Sequence, residues 1–197
     1  MKKRTDSVKR ETRETRIEVA LRLDGPRSVE VETGLPFFDH MLEALALHGG
    51  MGLKLKARGD THVDPHHLME DCGIVLGQAL AGALGGFRGI ARAGCFGFPM
   101  DESLASVAVD LCGRVNVVWK ARLGSLPIGG VDPRLMREFV KGFAQGLKAT
   151  VHVFVPWKEN DHHACEAIAK ALGRAIRMAV EPAGGRRPMS TKGRIDA

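Results

Sequence analysis

The sequence predicts an α+β fold made by tandem duplication of a small unit, each unit a mixed β-sheet covered by helices on one face. Three observations predict it. The pair His66-His67, with Glu70 three residues after the second His, recurs as His162-His163 with Glu166. Aligning the two frames also pairs Leu76 with Leu172, Gly77 with Gly173 and Leu80 with Ile176, so the helix that follows each frame is repeated with it. Upstream of each frame, segments of period two and of helical period follow one another in the same order.

The first repeated strand alternates through Val19, Leu21 and Leu23, and its copy through Val107, Val109 and Leu111. A short strand at 29–31 matches 115–117. Helical periodicity over 39–48 matches 137–148, and the alternating run Leu53, Leu55, Ala57 matches Val151, Val153, Val155. Each half thus reads strand, strand, helix, strand, helix, with the His-His frame opening the last helix. Asp64-Pro65 and Asn160-Asp161 precede the two frames, where a cap and a first-turn Pro belong. The Gly-rich stretch 82–97 reads as the linker, which divides the chain into halves 1–90 and 91–197 of one compact domain. Each half covers one sheet face with its own helices, so the halves are expected to pair their helical or sheet layers and the protein to oligomerise.

At 197 residues, 44% hydrophobic and without a long apolar run, the chain reads as globular, with no transmembrane span. The basic start Met1-Lys2-Lys3-Arg4 runs into charged residues, unlike a secretory signal. The four Cys show no CxxC spacing, which disfavours a Cys zinc site and suits a reducing cytoplasm. The net charge of +6 would suit nucleic acid, but the basic residues lack interleaved aromatics, and the chain has no Tyr. A small anionic or phosphorylated substrate accounts equally well for clusters such as Arg186-Arg187 and Lys192-Arg194. Neither nucleic acid nor membrane is expected as a partner.

The chemistry lies in the repeated frame. On a helix, residues four apart share a face, whereas the neighbouring residue lies about 100° round the cylinder. His66 can join Glu70 on one ion, and His162 can join Glu166, but His67 and His163 must point elsewhere. Crossing the copies gives two ions. The same alignment places His40 opposite Glu138, so the symmetric sets are His40, His67, His162 and Glu166 for one ion, and Glu138, His163, His66 and Glu70 for the other. Imidazole with carboxylate favours Mn, Fe or Zn. A Glu in one set where the other has His would leave the two ions unequal.

Several segments together resemble imidazoleglycerol-phosphate dehydratase: 37–42, 48–50, both His-His frames, Pro99-Met100-Asp101-Glu102, 110–114 and Ser190-Thr191-Lys192-Gly193. The resemblance runs in order along nearly the whole chain. It implies a hydro-lyase of histidine biosynthesis that removes water from D-erythro-imidazoleglycerol phosphate to give imidazoleacetol phosphate through a metal-stabilised imidazolate. It also implies two Mn2+ per active site with Fe or Zn as substitutes, a tandem ribosomal protein S5 domain 2-like fold, and a cytoplasmic homo-oligomer of 24 subunits with active sites between them. By the same resemblance Glu14 matches an acid/base carboxylate, and His48 a substrate-contacting His that could share proton transfer. Arg92, Arg114, Lys170, Ser190, Thr191 and Lys192 match a phosphate-binding set, and Glu14, His40 and His48 also contact substrate. The chain departs from the pattern after Arg114, where Val115-Asn116 replaces an expected Pro and aromatic.

Two other readings compete. A non-catalytic metal-assembly protein would need neither Glu14, Arg92, Arg114 nor the 190–192 turn. A dinuclear metallohydrolase would call for an Asp-rich ligand set that the sequence lacks.

Overall fold

The computed structural model describes residues 3–185, 189–191 and 195. The first half runs β1 (Thr5–Glu11), β2 (Thr15–Arg22), β3 (Val29–Glu32), α1 (Pro36–Gly49), β4 (Gly52–Gly59) and α2 (His66–Leu84). The second repeats it as β5 (Ala93–Met100), β6 (Ser103–Asp110), β7 (Asn116–Lys120), α3 (Met136–Leu147), β8 (Thr150–Trp157) and α4 (Asp161–Ala179), with one extra 3-10 turn, Pro133–Leu135, before α3. The sheets have the same order, β1-β2-β4-β3 and β5-β6-β8-β7. In each, one parallel pair lies among antiparallel ones.

Alternation explains the sheet faces. Every second residue of β2, from Thr15 to Leu21, is buried beneath the helices and the intervening ones face outward; β6 does the same from Ser103 to Val109. The edge strand β1 buries no residue fully, and β5 is rich in Gly and carries Pro99. Neither therefore carries the apolar alternation by which the other strands are read. The expected linker 82–97 is accordingly corrected: α2 continues to Leu84 and is closed by Gly85 in the left-handed conformation, while Gly94 and Gly97 belong to β5.

The halves pair through their helices. Each His-His helix packs on its own sheet and against the first helix of the other half, α2 with α3 and α1 with α4. Glycines set the approach. Gly77 lies against the backbone of Phe143 and Leu147, and Gly173 against that of Leu45 and Gly49. The two contacts are copies of each other, and in both the paired helices run parallel. This crossed packing carries His40 of one half to the His-His frame of the other.

Candidate metal centre and substrate site

Two helix starts meet at the centre. Pro36 opens α1 with its backbone torsion already set, and Asp39 in its first turn accepts from the Thr33 amide (2.9 Å) and hydroxyl (2.6 Å). His40 therefore stands on a fixed first turn. Asn160 caps α4 by accepting from the His162 amide at 2.8 Å, and the Asp64 side chain accepts from the His66 amide at 2.6 Å at the start of α2. His40 Nε2 lies 3.4 Å from Glu166 Oε2, and His162 Nε2 lies 3.5 Å from the same oxygen. The three ligand atoms fall within 4.8 Å of one another. The edge of the Phe37 ring supports His162, with centroids 5.3 Å apart.

Electrostatics keep Glu166 ionised. Burial pushes its pKa up, but Lys170, whose Nζ is 2.6 Å from the other carboxylate oxygen, and then His40 outweigh burial and hold it below the usual range. A buried anion flanked by two imidazoles suits a divalent ion such as Mn, Fe or Zn.

The matching set in the other half is less assembled. His66 Nε2 is 3.7 Å from Glu70 Oε2, as the helical spacing requires. Glu138, however, is held by Lys141 one turn along α3, at 2.9 and 3.0 Å, and it joins no group of three ligand atoms among the described residues. In the single chain, Glu138 thus faces a cation on its own helix and not the His66 and Glu70 pair. Nor does one chain bring His67 to His162 and Glu166, or His163 to His66 and Glu70. His67 turns Nδ1 to Asp60 Oδ2 at 3.1 Å, and His163 turns Nδ1 to Glu102 Oε2 at 2.9 Å. These contacts raise the pKa of both histidines, and the His163 contact is the main reason the Glu102 carboxyl is lowered to about 2. Asp101, Glu102 and His163 form the second group of converging ligand atoms. Sequence reasoning assigned Asp60, Asp101 and Glu102 no role. A signal for Glu102 existed, since the strand pairing that sets Val19 opposite Val107 sets Glu14 opposite Glu102.

Glu14 is exposed in the turn between β1 and β2. Its amide donates to the Thr12 hydroxyl oxygen at 3.2 Å, and its carbonyl accepts from the Asp60 amide at 3.1 Å. Behind that turn Asp71, buried on α2, accepts from Arg10 and, at 2.5 Å, from the Thr15 hydroxyl. The carboxylate turn is thereby tied to the helix that carries His66 and Glu70. His48 lies in the last turn of α1, edge-on to Phe98 with centroids 5.0 Å apart. Burial, then Lys170 and Arg174, lower its pKa.

The expected phosphate set divides. Arg92, at the unusual φ of 71°, donates to both oxygens of Asp110 at 2.8 and 3.1 Å and to the Met189 carbonyl, which brings the segment carrying Ser190 and Thr191 to it. Arg114 is exposed just before β7. Lys170 Nζ pairs with Glu166 and lies over the Phe98 ring at 5.3 Å from its centroid. Lys192, with Arg186-Arg187 and Arg194, lies outside the described residues. No described helix is long and apolar enough to cross a membrane.

Residues 33–176 match the family model for imidazoleglycerol-phosphate dehydratase. Curated proteins of that name from Phenylobacterium zucineum and Methanopyrus kandleri are each 47% identical to the chain, over 90% and 98% of its length and 91% and 96% of their own. Among solved structures, the dehydratase from Pyrococcus furiosus superposes with a TM-score of 0.83 at 36% identity, covering 95% of this chain and 100% of its own. The Staphylococcus aureus enzyme gives 0.81 at 32% identity, over 90% and 99%.

Proposed function

The chain belongs to the imidazoleglycerol-phosphate dehydratase family, and from that premise we propose how its residues divide the work. The reaction is the hydro-lyase step of histidine biosynthesis, conversion of D-erythro-imidazoleglycerol phosphate to imidazoleacetol phosphate and water. The hydroxyl leaves the carbon attached to the ring and a proton leaves its neighbour, giving an enol that becomes the keto phosphate. That proton is not acidic in the free substrate, so both a ring able to expel hydroxide and a placed base are needed.

Two Mn2+ ions, with Fe or Zn as substitutes, would be held by His40, His66, His67, Glu70, Glu138, His162, His163 and Glu166. Such ions would supply Lewis acidity toward the substrate's imidazole ring. Glu14 takes the carbon-bound proton and returns it. His48, whose pKa is lowered by burial and by two cations, contacts the substrate beside it and can share the transfer. Arg92 and Arg114, with Ser190, Thr191 and Lys192, bind the phosphate, where the planar guanidinium fork suits its oxygens. Lys170 belongs to the same phosphate-binding set and also holds the Glu166 pKa down. Because His67 and His163 point away from the sets they would complete within one chain, they serve neighbouring subunits of a homo-oligomer of 24, with its sites between subunits, in the cytoplasm.

The observation that carries this reading is the convergence of His40, His162 and Glu166 from helices of different halves. Metal-free and Mn-loaded protein incubated with imidazoleglycerol phosphate will separate, with keto phosphate formed only by the loaded form. Substrate that binds to Mn-, Fe- or Zn-loaded protein without turnover would leave a non-catalytic relative.

A further inference from the structure

The two halves differ in what stands behind the histidine that each helix turns away from its Glu. His67 Nδ1 faces Asp60 Oδ2 at 3.1 Å, and His163 Nδ1 faces the two oxygens of Glu102 at 2.9 and 3.2 Å. The two carboxylates come from places that the duplication does not relate. Asp60 follows β4, whereas the corresponding position after β8 is Lys158, whose Nζ is turned to Asp161 at 2.7 Å. The connection from strand to helix is also shorter in the second half, 158–160 against 60–65. Glu102 occupies the β5–β6 turn, at the position that Glu14 occupies in the β1–β2 turn. One turn position therefore carries a carboxylate in both halves. In the second half it is committed to a histidine, while in the first Asp60 serves that histidine and the Glu14 carboxylate stays exposed.

We propose that Asp60 and Glu102 are positioning residues that hold His67 and His163 as Nδ1–H tautomers, each with its Nε2 lone pair presented to an ion; this rests on reading both histidines as ligands. A neutral imidazole has one donor and one acceptor nitrogen, so an acceptor fixed at Nδ1 puts the proton there and leaves Nε2 free. A carboxylate in that position also strengthens the ring as a ligand. The remaining geometry agrees. His163 Nε2 is 3.8 Å from Asp101 Oδ2, beyond hydrogen-bond reach, so its lone pair is uncommitted there. Asp60 is itself fixed, since its amide donates to the Glu14 carbonyl at 3.1 Å and its carbonyl accepts from the Val63 amide at 2.8 Å. Both links are made by backbone and survive substitution of the side chain. The same arrangement explains why Glu14, and not its counterpart Glu102, is available for proton transfer.

The test is Mn2+ binding to the full-length assembled protein, followed by electron paramagnetic resonance of free Mn2+, for the parent and for Asp60→Asn, Asp60→Ala, Glu102→Gln, Glu102→Ala and Glu14→Gln. Loss of the carboxylate in each Ala variant should weaken Mn2+ binding by about 10- to 100-fold, as removal of partners behind metal-bound histidines does, with the amide variants in between. Glu14→Gln should leave affinity within about threefold of the parent, because it has no histidine to hold. The amide variants preserve shape, so unchanged oligomer size and helix content in them exclude a folding defect. Parental affinity in both Ala variants, or an equal loss in Glu14→Gln, would overturn the inference while leaving the metal reading intact. A parent protein that binds no Mn2+ would remove both.

Discussion

Replacing Gly77 by Ala probes the contact that brings the halves together. A Cβ at this position would run into the Phe143 carbonyl oxygen and lie 2.7 Å from the Leu147 amide nitrogen and 3.0 Å from the Gly146 carbonyl carbon. All three neighbours are backbone, so no side-chain rotation relieves the clash and α2 must move away from α3. Overpacking of this kind costs up to about 3 kcal/mol. The better helix propensity of Ala returns about 1 kcal/mol, leaving a net loss of about 2 kcal/mol. With a urea slope of about 2 kcal/mol/M, the unfolding midpoint should fall by about 1 M at fixed protein concentration. Gly97→Ala is the control, because nothing lies within 4 Å of its Cβ and its φ is ordinary; it should leave the midpoint unchanged or raise it slightly. A Gly77→Ala protein as stable as the parent, with unchanged Mn2+ affinity, would refute the view that backbone approach at this glycine sets the helix crossing.

Glu14→Gln should lower kcat by about 10²- to 10⁴-fold while substrate still binds, as loss of a general base does; an unchanged rate in a coupled keto-phosphate assay removes Glu14 from the mechanism. Asp71→Ala strips a partly buried Arg10 and the Thr15 hydroxyl of their acceptor and should cost about 2 kcal/mol by urea unfolding. It should also lower kcat more than KM rises, because the turn it releases carries Glu14. His48, with its folded pKa below the ordinary 6.5, contributes stability that is complete above pH 6.5 and is lost as pH falls through the folded value. His48→Gln should therefore decline less steeply than the parent between about pH 7 and about pH 5, and parallel urea midpoints across that range would count against the lowered pKa.

Much of the architecture was legible because duplication writes each signal twice. The strands β2, β4, β6 and β8 bury alternate residues, and that periodicity shows in the chain itself. The strands β1 and β5 did not show. An edge strand with no fully buried residue needs no apolar alternation, and the glycines of β5 mimic a linker although Gly94 is pressed against the Ala175 carbonyl of α4. At the site, His40, His162 and Glu166 converge as the repeat suggested. Glu138 pairs with Lys141 on its own helix, a neighbour that position in a repeat does not reveal. Lys170 illustrates the same point, since its contact with Glu166 is not revealed by its place in the phosphate-binding pattern.

The sequence by itself determined that two equivalent halves each carry a His-His-Glu helix, and which His shares a face with its Glu, since helical geometry depends only on spacing. The tertiary structure supplied the means by which His40 reaches the other half's frame, because glycine contacts between α1 and α4 and between α2 and α3 cross the halves. It also decided that Asp60 and Glu102, rather than symmetric partners, stand behind His67 and His163. Those pairings depend on where loops of unequal length leave a carboxylate, and side-chain direction at a loop is set by long-range packing that local spacing does not encode.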